Sequence, residues 1–472
     1  MNKNIKQTVA SLFEEWAGEK VTEINLLPES GSYRKYFRIK SSNHHAIGAF
    51  YDSPQENHAF IELSRHFKNQ GLNVPEIYAI GKEMNTYILE DLGDTVLFEH
   101  ITRIRVNEGF SDNLINIYKT IINELIQFQM VAGKTADYSV CYPSAEFDGQ
   151  AYMWDLNYFK YNFLKLAQIP FDEYRLEEDF RKIVQLLLSA DNSYFVYRDF
   201  QARNIMLKDD KMYFIDYQGG RKGPIYYDLV SLLFQARARV PFEIREELID
   251  YYIEQAGKIN TKSVDNFRKY FYKFALIRIL QTLGAYGFRG LYEKKSHFLE
   301  SIPMAIENLS WLLNNMKIST DLPELKHCLK QIIEMNESKK FSLPPLRIHV
   351  NSFSYKRGIP VDLSGNGGGF VFDCRALPNP GRLEKYRSMT GMDQMVIDYL
   401  EKYEEVNEFI GQANNMVQQS VKVYTNRGFT NLVVNFGCTG GQHRSVYCAE
   451  QLARKLKDFT NCEIVLRHRE QE

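Results

Sequence analysis

The sequence predicts two folded parts in series: a bilobal α+β domain, followed by an α/β domain with a mostly parallel sheet. Strand-like segments dominate residues 20–90, and helical patterns dominate 110–190 and 225–315. After residue 345, strand-like and helical segments alternate, which is typical of a parallel sheet covered by helices. A chain of 472 residues is also too long to be built around one hydrophobic core.

Changes in composition place the boundaries between these parts. The adjacent prolines Pro344 and Pro345 cannot continue a helix and follow a charged helical stretch, so they mark the end of a connector. Four segments are expected: a small sheet lobe at 1–95, a helical lobe at 96–318, a helical and proline-containing linker at 319–345, and the second domain at 346–472.

Composition restricts the class of protein. A hydrophobic content of 44% and a charged content of 25% describe an ordinary globular protein. The formal net charge of −1 argues against a general nucleic-acid or membrane-surface binder. The six cysteines form no CxxC pair, and no apolar run has the length of a signal sequence core or a membrane span. We therefore expect a cytoplasmic protein with reduced thiols.

Residues 196–207, Val-Tyr-Arg-Asp-Phe-Gln-Ala-Arg-Asn-Ile-Met-Leu, contain the most informative pattern of the chain. Asp199 is followed five positions later by Asn204, and Asp216 follows twelve positions beyond that. An aspartate can orient and deprotonate an attacking hydroxyl, while amide and carboxylate oxygens are suitable ligands for Mg²⁺ on nucleotide phosphates. Asp199 is thus the predicted catalytic base, and Asn204 and Asp216 are the predicted metal ligands for Mg²⁺-ATP.

Short apolar segments surround this pattern. We predict strands at 194–196 and 211–215, with 208–210 as the hairpin between them. Asp199 and Asp216 would then follow strand ends and face one cleft. The alternative is that both are surface carboxylates in loops.

The pattern resembles the aminoglycoside phosphotransferase and choline kinase branch of the protein-kinase-like fold, and within it the AmgK-like sugar kinases. The resemblance rests on 199–204, the turn at 215–218 and the later pair Asp228-Leu229. It implies that Asp228 accepts backbone N–H bonds that brace the catalytic loop. It also implies ATP and Mg²⁺ as cofactors and an anomeric kinase of N-acetylmuramate or N-acetylglucosamine in cell-wall recycling.

Further segments extend this resemblance over roughly residues 10–315. The stretch 30–38 is similar to the strand-loop-strand over the ATP phosphates, and 89–93 is similar to the hinge between the lobes. The implied nucleotide-binding residues are Ser30, Gly31, Ser32, Glu90 and Leu92. The implied sugar-binding residues are Asp155, Asn157, Arg203 and Gln281. For Asp155 and Asn157, the alternative is a packed aromatic cluster with capping polar residues.

The sequence departs from the family pattern at two positions. Tyr197 stands where the catalytic loop usually has His, and the lysine usual on the third strand is absent from 46–51. That lysine normally neutralises the nucleotide phosphates. Glu56, at the start of the next helix, is either the glutamate that pairs with such a cation or a solvated acid in a first helical turn.

The turn Gly437-Cys-Thr-Gly-Gly-Gln-His-Arg-Ser445 is the second informative site. A strand, a glycine-rich loop and a helix together direct backbone N–H groups toward one point, which predicts a phosphate site. The predicted binding residues are Cys438, Thr439, Gly440, Gly441, His443, Arg444 and Ser445. The Cys-x5-Arg spacing also fits a cysteine phosphatase, and a purely structural glycine turn is a third interpretation.

Residues 346–472 resemble the C-terminal domain of RapZ-type RNase adapters. The motifs lie at 353–360, 375–380, 390–393, 437–445 and 467–469. The resemblance implies a domain that senses glucosamine 6-phosphate and contacts RNA or protein partners. The chain contains no GxxxxGK[ST] motif, so the RNase-adapter activity does not transfer. The insertion at 364–369 and Gly381 depart from the family pattern, so different contacts to the sugar are expected there.

We therefore predict an enzyme, a phosphotransferase acting on an amino-sugar hydroxyl, joined to a domain that binds a hexosamine phosphate. Its expected partners are a small sugar and an RNA or protein partner of the second domain, with no membrane. One alternative is a regulatory binding protein with a degenerate kinase fold, which the missing lysine favours. Another is a kinase fused to a Cys438-dependent phosphatase. The sequence predicts neither the oligomeric state nor the hydroxyl that is phosphorylated.

Overall fold

The computed structural model describes residues 2–28, 34–315, 321–338, 345–361, 369–427, 429–457, 459 and 462–471. The chain divides into two compact units. The first unit comprises Met1–Phe288 and Ser301–Ser338, and the second unit comprises Arg289–Glu300 and Lys339–Glu472.

The strands within the described residues are β1 (Glu23–Leu26), β2 (Lys35–Lys40), β3 (His45–Phe50), β4 (Ile77–Ile80), β5 (Thr86–Leu89), β6 (Tyr194–Val196), β7 (Ile205–Lys208), β8 (Lys211–Phe214), β9 (Arg221–Gly223), β10 (Leu346–Ser354), β11 (Phe370–Asp373), β12 (Asn431–Cys438) and β13 (Cys462–His468). The helices in the same residues are α1 (Asn2–Ala17), α2 (Pro54–Asn69), α3 (Leu97–Glu108), α4 (Asp112–Ile126), α5 (Gly149–Phe159), α6 (Glu173–Leu188), α7 (Tyr226–Leu233), α8 (Phe242–Ile259), α9 (Phe267–Tyr286), α10 (Ser296–Leu299), α11 (Ser301–Asn315), α12 (Pro323–Glu337), α13 (Gln394–Leu400), α14 (Glu404–Arg427) and α15 (Arg444–Leu456).

The small lobe of the first unit is an antiparallel sheet with the order β1-β2-β3-β5-β4 in its described residues. Alternate side chains point to opposite faces of a strand. Phe37, Ile39 and Ala46 form a core with Val9 of α1. On the other face, the Tyr87 ring lies 5.5 Å from the ring of Phe60 in α2. The helices α1 and α2 therefore lie on opposite faces of the sheet, and α2 packs on the face to which the Tyr87 side chain points.

The helical lobe packs around α9, which contacts α5, α7 and α11. Two short antiparallel ribbons, β6 with β9 and β7 with β8, hold the predicted catalytic segment. The expected hairpin turn is present at Asp209 and Asp210, which both have positive φ. The strand that pairs with β8 across this turn was predicted wrongly, because β8 pairs with β7 and not with the segment 194–196. The strand at 194–196 instead pairs with β9.

Much of the expected linker at 319–345 folds onto the first unit. Helix α12 buries Leu325, Cys328, Leu329 and Ile332 and packs against α6. The backbone N–H of Leu325 donates to the Asp179 carboxylate at 2.9 Å. Of the two prolines expected at the boundary, Pro344 lies outside the described residues, and Pro345 directly precedes β10.

The second unit contains a parallel sheet with the order β11-β12-β10-β13. The predicted α/β class with a mostly parallel sheet is confirmed, since strands and helices alternate through this unit. Because parallel strands end at the same edge, Ser354, Asp373 and Cys438 come together there. In the parts of the chain that the structure describes, no helix combines the length and apolarity needed to cross a membrane.

Candidate active site

The loop between β6 and β7 brings the predicted base and metal ligands together. The Asn204 side-chain Nδ2 donates to the Asp199 carbonyl at 2.9 Å. The Ile215 N–H donates to the Asn204 carbonyl at 3.0 Å, which places the following residue, Asp216, against the same loop. Asp216 itself adopts a φ of 71°. Since Asn204 uses its amide nitrogen within the loop, its amide oxygen is the atom that could bind a hard cation, together with the carboxylate of Asp216.

Asp228 braces this loop, as expected. Its carboxylate accepts the backbone N–H groups of Tyr197 at 2.7 Å and Arg198 at 2.9 Å. Gln129 donates a third hydrogen bond at 3.2 Å. Burial raises the pKa of Asp228 to about 6, although these hydrogen bonds act in the opposite direction.

Tyr197 replaces the usual histidine without loss of the loop's support. Its ring is 1% exposed, and its hydroxyl donates to the Ile215 carbonyl at 2.6 Å. This bond links the Asp199 loop to the turn that carries Asp216. A tyrosine can therefore hold the two predicted functional segments together.

The charges of three arginines, Arg278, Arg203 and Arg198, act on Asp199. The Arg278 Nη2 atom donates to Asp199 Oδ1 at 3.0 Å. Burial favours the neutral acid, but the charges of Arg278 and Arg203 outweigh it and lower the pKa of Asp199. Burial and the negative charge of Asp199 raise the pKa of Asp216. Asp199 is consequently ionised at neutral pH, as a general base must be.

Asp155 lies in a buried ion pair. It accepts two hydrogen bonds from Arg198, at 2.9 and 2.6 Å, and is itself 4% exposed. The Arg198 guanidinium also lies 4.7 Å from the centre of the Phe147 ring. This arrangement favours a structural role for Asp155 over the sugar contact that the sequence indicated. Asn157 Oδ1 is buried and has no hydrogen-bond partner among the described residues.

A polar pocket lies beside Arg278. Its lining residues come from the catalytic loop, α7, α9, α11 and the turn after α7: Gln201, Val230, Ser231, Phe234, Gln235, Ala236, Arg278, Ile279, Thr282, Tyr286, Ala305 and Asn308. Gln281 lies outside this lining and accepts a hydrogen bond from Arg278, so it orients the guanidinium. The Gln235 Oε1 atom is buried and, in the described residues, finds no hydrogen-bond donor. It is an acceptor that a ligand hydroxyl could satisfy.

Most of this pocket could not be found from the sequence. Gln201 carries a signal, because it is two positions after Asp199 in the predicted catalytic loop. Ser231, Gln235 and Asn308 lie in ordinary helical or turn sequences and meet only through packing. Arg203, which was predicted to bind substrate, is exposed, and its charge acts on both predicted aspartates.

The predicted hinge is tied to both lobes. Arg38 of β2 holds the Asp91 carboxylate with hydrogen bonds of 2.7 and 3.0 Å. Lys208 of β7 donates to the Glu90 carboxylate at 2.7 Å and to the Asp91 carbonyl at 3.1 Å. The Glu90 side chain therefore anchors the hinge, and Leu92 is buried at 6% exposure. The predicted residues Ser30, Gly31 and Ser32 lie outside the described residues.

The glycine turn of the second unit places its predicted residues at the end of β12. Gly441 has a φ of 68°, and a Cβ there would meet the Ser354 nitrogen at 2.9 Å, so the turn requires glycine. The His443 ring nitrogen Nε2 lies 2.9 Å from the Tyr386 carbonyl oxygen. Arg444 Nη1 donates to the carbonyls of Arg375 and Leu377 at 2.8 and 3.0 Å. Both side chains thus hold neighbouring loops in place.

Cys438 is enclosed within this turn. Its sulfur lies 3.1 Å from the Ser445 hydroxyl, and the residue is 3% exposed. Burial opposes the thiolate, but hydrogen bonds from Ser445 and Gly441 lower the pKa of Cys438. The neighbouring carbonyl of Thr439 accepts the Ser354 hydroxyl at 2.8 Å.

Comparisons with known proteins match the two parts of the chain to two different families. The family described as the phosphotransferase enzyme family matches residues 23–267, and the RapZ C-terminal domain matches 346–472. A nucleotide-binding protein of Macrococcus caseolyticus is 35% identical over 32% of this chain and 52% of its own length. One of Mannheimia succiniciproducens is 38% identical over 34% of this chain and 50% of its own. The chain spans about half the length of these curated relatives.

Solved structures with a similar backbone trace include an ethanolamine kinase and an aminoglycoside phosphotransferase. Plasmodium vivax ethanolamine kinase has a TM-score of 0.45 at 12% identity, covering 62% of this chain and 82% of its own. The aminoglycoside phosphotransferase APH(4)-Ia, in a ternary complex with ADP and hygromycin B, has a TM-score of 0.44 at 13% identity, covering 66% and 99%. The match over residues 23–267 confirms the expected enzyme class, a phosphotransferase that acts on hydroxyl groups. The chain belongs to the phosphotransferase enzyme family and carries a RapZ C-terminal domain.

Proposed function

We propose that this protein is an ATP-dependent kinase of an amino-sugar hydroxyl, with a second domain that binds a hexosamine phosphate. The observation that supports it most strongly is the position of Asp199. Its carboxylate has a lowered pKa and accepts a hydrogen bond from Arg278, which lines a polar pocket, while its backbone carbonyl accepts a hydrogen bond from Asn204. A base in that position can serve an acceptor hydroxyl.

In the proposed reaction, Asp199 orients the acceptor hydroxyl and takes its proton as the oxygen attacks the γ-phosphorus of ATP. A bond forms between the acceptor oxygen and phosphorus, the bond from phosphorus to the bridging oxygen breaks, and ADP leaves. The positive charge of Arg203 acts on both Asp199 and Asp216. It would stabilise the negative charge on the phosphoryl group during transfer. Asn204 and Asp216 would hold Mg²⁺, which neutralises phosphate charge.

The acceptor class rests on the resemblance to AmgK-like kinases, and the chemistry of the pocket agrees with it. The pocket presents amide, hydroxyl and guanidinium groups, from Gln201, Ser231, Gln235 and Arg278 among others. Such groups suit a hydroxyl of the acceptor better than an apolar group, and the cavity itself, about 10 Å³, has room for about one water molecule and not for a whole sugar. The assignment to N-acetylmuramate or N-acetylglucosamine in cell-wall recycling rests on the resemblance. The six cysteines are free, in keeping with the proposed cytoplasmic location.

In the second domain, backbone N–H groups of the glycine turn would bind the phosphate of the ligand. Because Arg444 and His443 already hold neighbouring loops, we assign them to shaping the turn, with Arg444 adding positive charge. This domain would also contact an RNA or protein partner.

A cysteine phosphatase is the second candidate for the same turn. The lowered pKa of Cys438 and its spacing from Arg444 favour it. The 3% exposure of Cys438 opposes it, because an attacking sulfur needs access to phosphorus. Release of inorganic phosphate from glucosamine 6-phosphate, lost in Cys438→Ser, would decide for the phosphatase.

The kinase proposal is tested by ADP formation from Mg²⁺-ATP with a panel of acceptors. The panel includes N-acetylmuramate, N-acetylglucosamine, glucosamine, an aminoglycoside and choline. We expect the highest kcat/KM with an N-acetylated amino sugar. If no sugar raises ADP formation above the rate without acceptor, or if choline is the best acceptor, the proposed acceptor class is wrong.

A further inference from the structure

The first unit carries a buried cation that the sequence did not predict. Arg34 directly precedes β2 and is 3% exposed. Its Nη2 atom donates to Glu56 Oε1 at 3.0 Å and lies 3.4 Å from Asn57 Oδ1, both at the start of α2. Its guanidinium carbon lies 5.0 Å from the centre of the Tyr51 ring. Glu56 is therefore the partner of a buried cation and not a solvated acid.

The third strand supplies no cation to this face of the sheet. A Cβ on Gly48 would meet Val9 of α1 at 2.2 Å, so Gly48 faces α1. Its neighbour Ala49 consequently faces the other side, together with its partner across the sheet, Tyr36. Arg34 comes two residues before Tyr36 and lies on the same face.

Asparagine at the start of α2 fixes this arrangement. Asn57 is fully buried, and its Nδ2 atom donates to the carbonyls of Tyr51 and Met84, each at 2.8 Å. These bonds hold the start of α2 against the strand ends. Glu56 and Arg34 therefore occupy defined positions.

Helix α2 also packs against the predicted metal site. The hydroxyls of Ser64, on α2, and Tyr217 lie 2.6 Å apart, and the Phe60 ring stacks on the Tyr217 ring at 5.1 Å. Because Tyr217 directly follows Asp216, the helix that holds Arg34 through Glu56 adjoins the turn that carries the carboxylate expected to contact the nucleotide through a metal ion. A buried guanidinium in that position is suited to a phosphate anion, because its planar fork binds oxygens in pairs.

We propose that Arg34, positioned by Glu56, binds the α- and β-phosphates of the nucleotide in place of the absent lysine of β3. This inference rests on the proposed kinase function. The cation has moved from the middle of β3 to the start of β2, while the glutamate on α2 is retained. The loss of the β3 lysine is then no sign of a degenerate kinase.

The test compares adenosine with ADP, which differ in the phosphates that Arg34 would contact. Isothermal titration of the full chain gives both dissociation constants for the wild type, Arg34→Met and the control Arg65→Met. Arg65 lies on α2, and its side chain is 53% exposed. We expect Arg34→Met to weaken ADP binding about ten-fold or more, since a charge-assisted phosphate contact is lost. Adenosine binding should change less than about two-fold, and Arg65→Met should leave both constants as in the wild type.

Equal losses for adenosine and ADP, or unchanged ADP binding in Arg34→Met, would overturn the inference. If Arg34→Met does not fold, Arg34→Lys and Glu56→Gln replace it, and the preference for ADP over adenosine must fall in both. An unchanged preference there would equally overturn the inference. A wild type that binds no ADP would instead contradict the proposed kinase function, so the two failures are distinguishable.

Discussion

The ionised state of Asp199 should depend on Arg278. Removing the charge in Arg278→Gln leaves burial, which raises the pKa of Asp199, opposed mainly by Arg203. A hydrogen bond to a charged group contributes about 1.5–3 kcal/mol, equivalent to about 1–2 pKa units. The Asp199 side chain is 40% exposed, so solvent screening favours the lower end, about one unit.

The pH dependence of kcat/KM measures this shift. With Mg²⁺ saturating, so that the bound cation keeps Asp216 ionised, the lowered pKa of Asp199 places the acid limb of the wild type below the ordinary value for aspartate, and activity is retained until the pH falls through that limb. In Arg278→Gln the limb should move up by about one unit, with activity recovering at higher pH. Arg278→Lys, which keeps the charge, should shift it less, and Arg181→Gln on the exposed face of α6 should not shift it. An acid limb at the same pH in wild type and Arg278→Gln would refute the role of Arg278.

Three further predictions concern other parts of the chain. Asp228→Ala should lower the free energy of unfolding, measured in urea, by roughly 3 kcal/mol or more, because two buried N–H groups lose a charged acceptor. The control is Asp250→Ala, at a side chain that is 70% exposed. Similar losses of stability in both variants would contradict the bracing role of Asp228. Residues 1–338, which retain α12, should fold and keep kinase activity in the acceptor assay; a folded but inactive fragment would show that the second unit completes the site. In the full chain, Arg444→Ala should weaken glucosamine 6-phosphate binding about ten-fold, because the turn loses both the loop contacts that shape it and a positive charge. Cys438→Ser should change the binding little in the same titration, and equal affinity of the wild type for glucosamine would contradict a phosphate site.

The sequence predicted those parts of the site that depend on short spacing. Asp199 and Asn204 lie in one loop, and Asp216 follows the next ribbon, so the chain itself keeps them close. The brace from Asp228 was also predictable, because it acts on the backbone of that loop. Predicting these features does not require knowing how helices that are distant in sequence pack together.

Features that depend on long-range packing were not predictable. Asp155 lies 43 positions from its partner Arg198, and nothing in its helix distinguishes a buried ion pair from a sugar contact. The short strand 194–196 could pair with either neighbouring ribbon, since three residues carry little register information. Arg34 could not be connected to Glu56 without the strand register.

The linker at 319–345 was predicted incompletely for a different reason. The apolar residues Leu325, Cys328, Leu329 and Ile332 recur at helical spacing and mark a face that packs against another helix. The charged residues between them indicate a solvent-exposed connector instead. Here the pattern was present in the sequence, and the structure shows which helix it meets.

The central claim is that Asp199 is the base of a sugar kinase, and Asp199→Asn tests it most directly. The substitution keeps the size of the side chain and removes its ability to take a proton. Measured on the best sugar of the acceptor panel, kcat should fall by about two to four orders of magnitude, while the dissociation constant for ADP stays close to that of the wild type. An Asp199→Asn protein that turns over this sugar at nearly the wild-type rate would contradict the account.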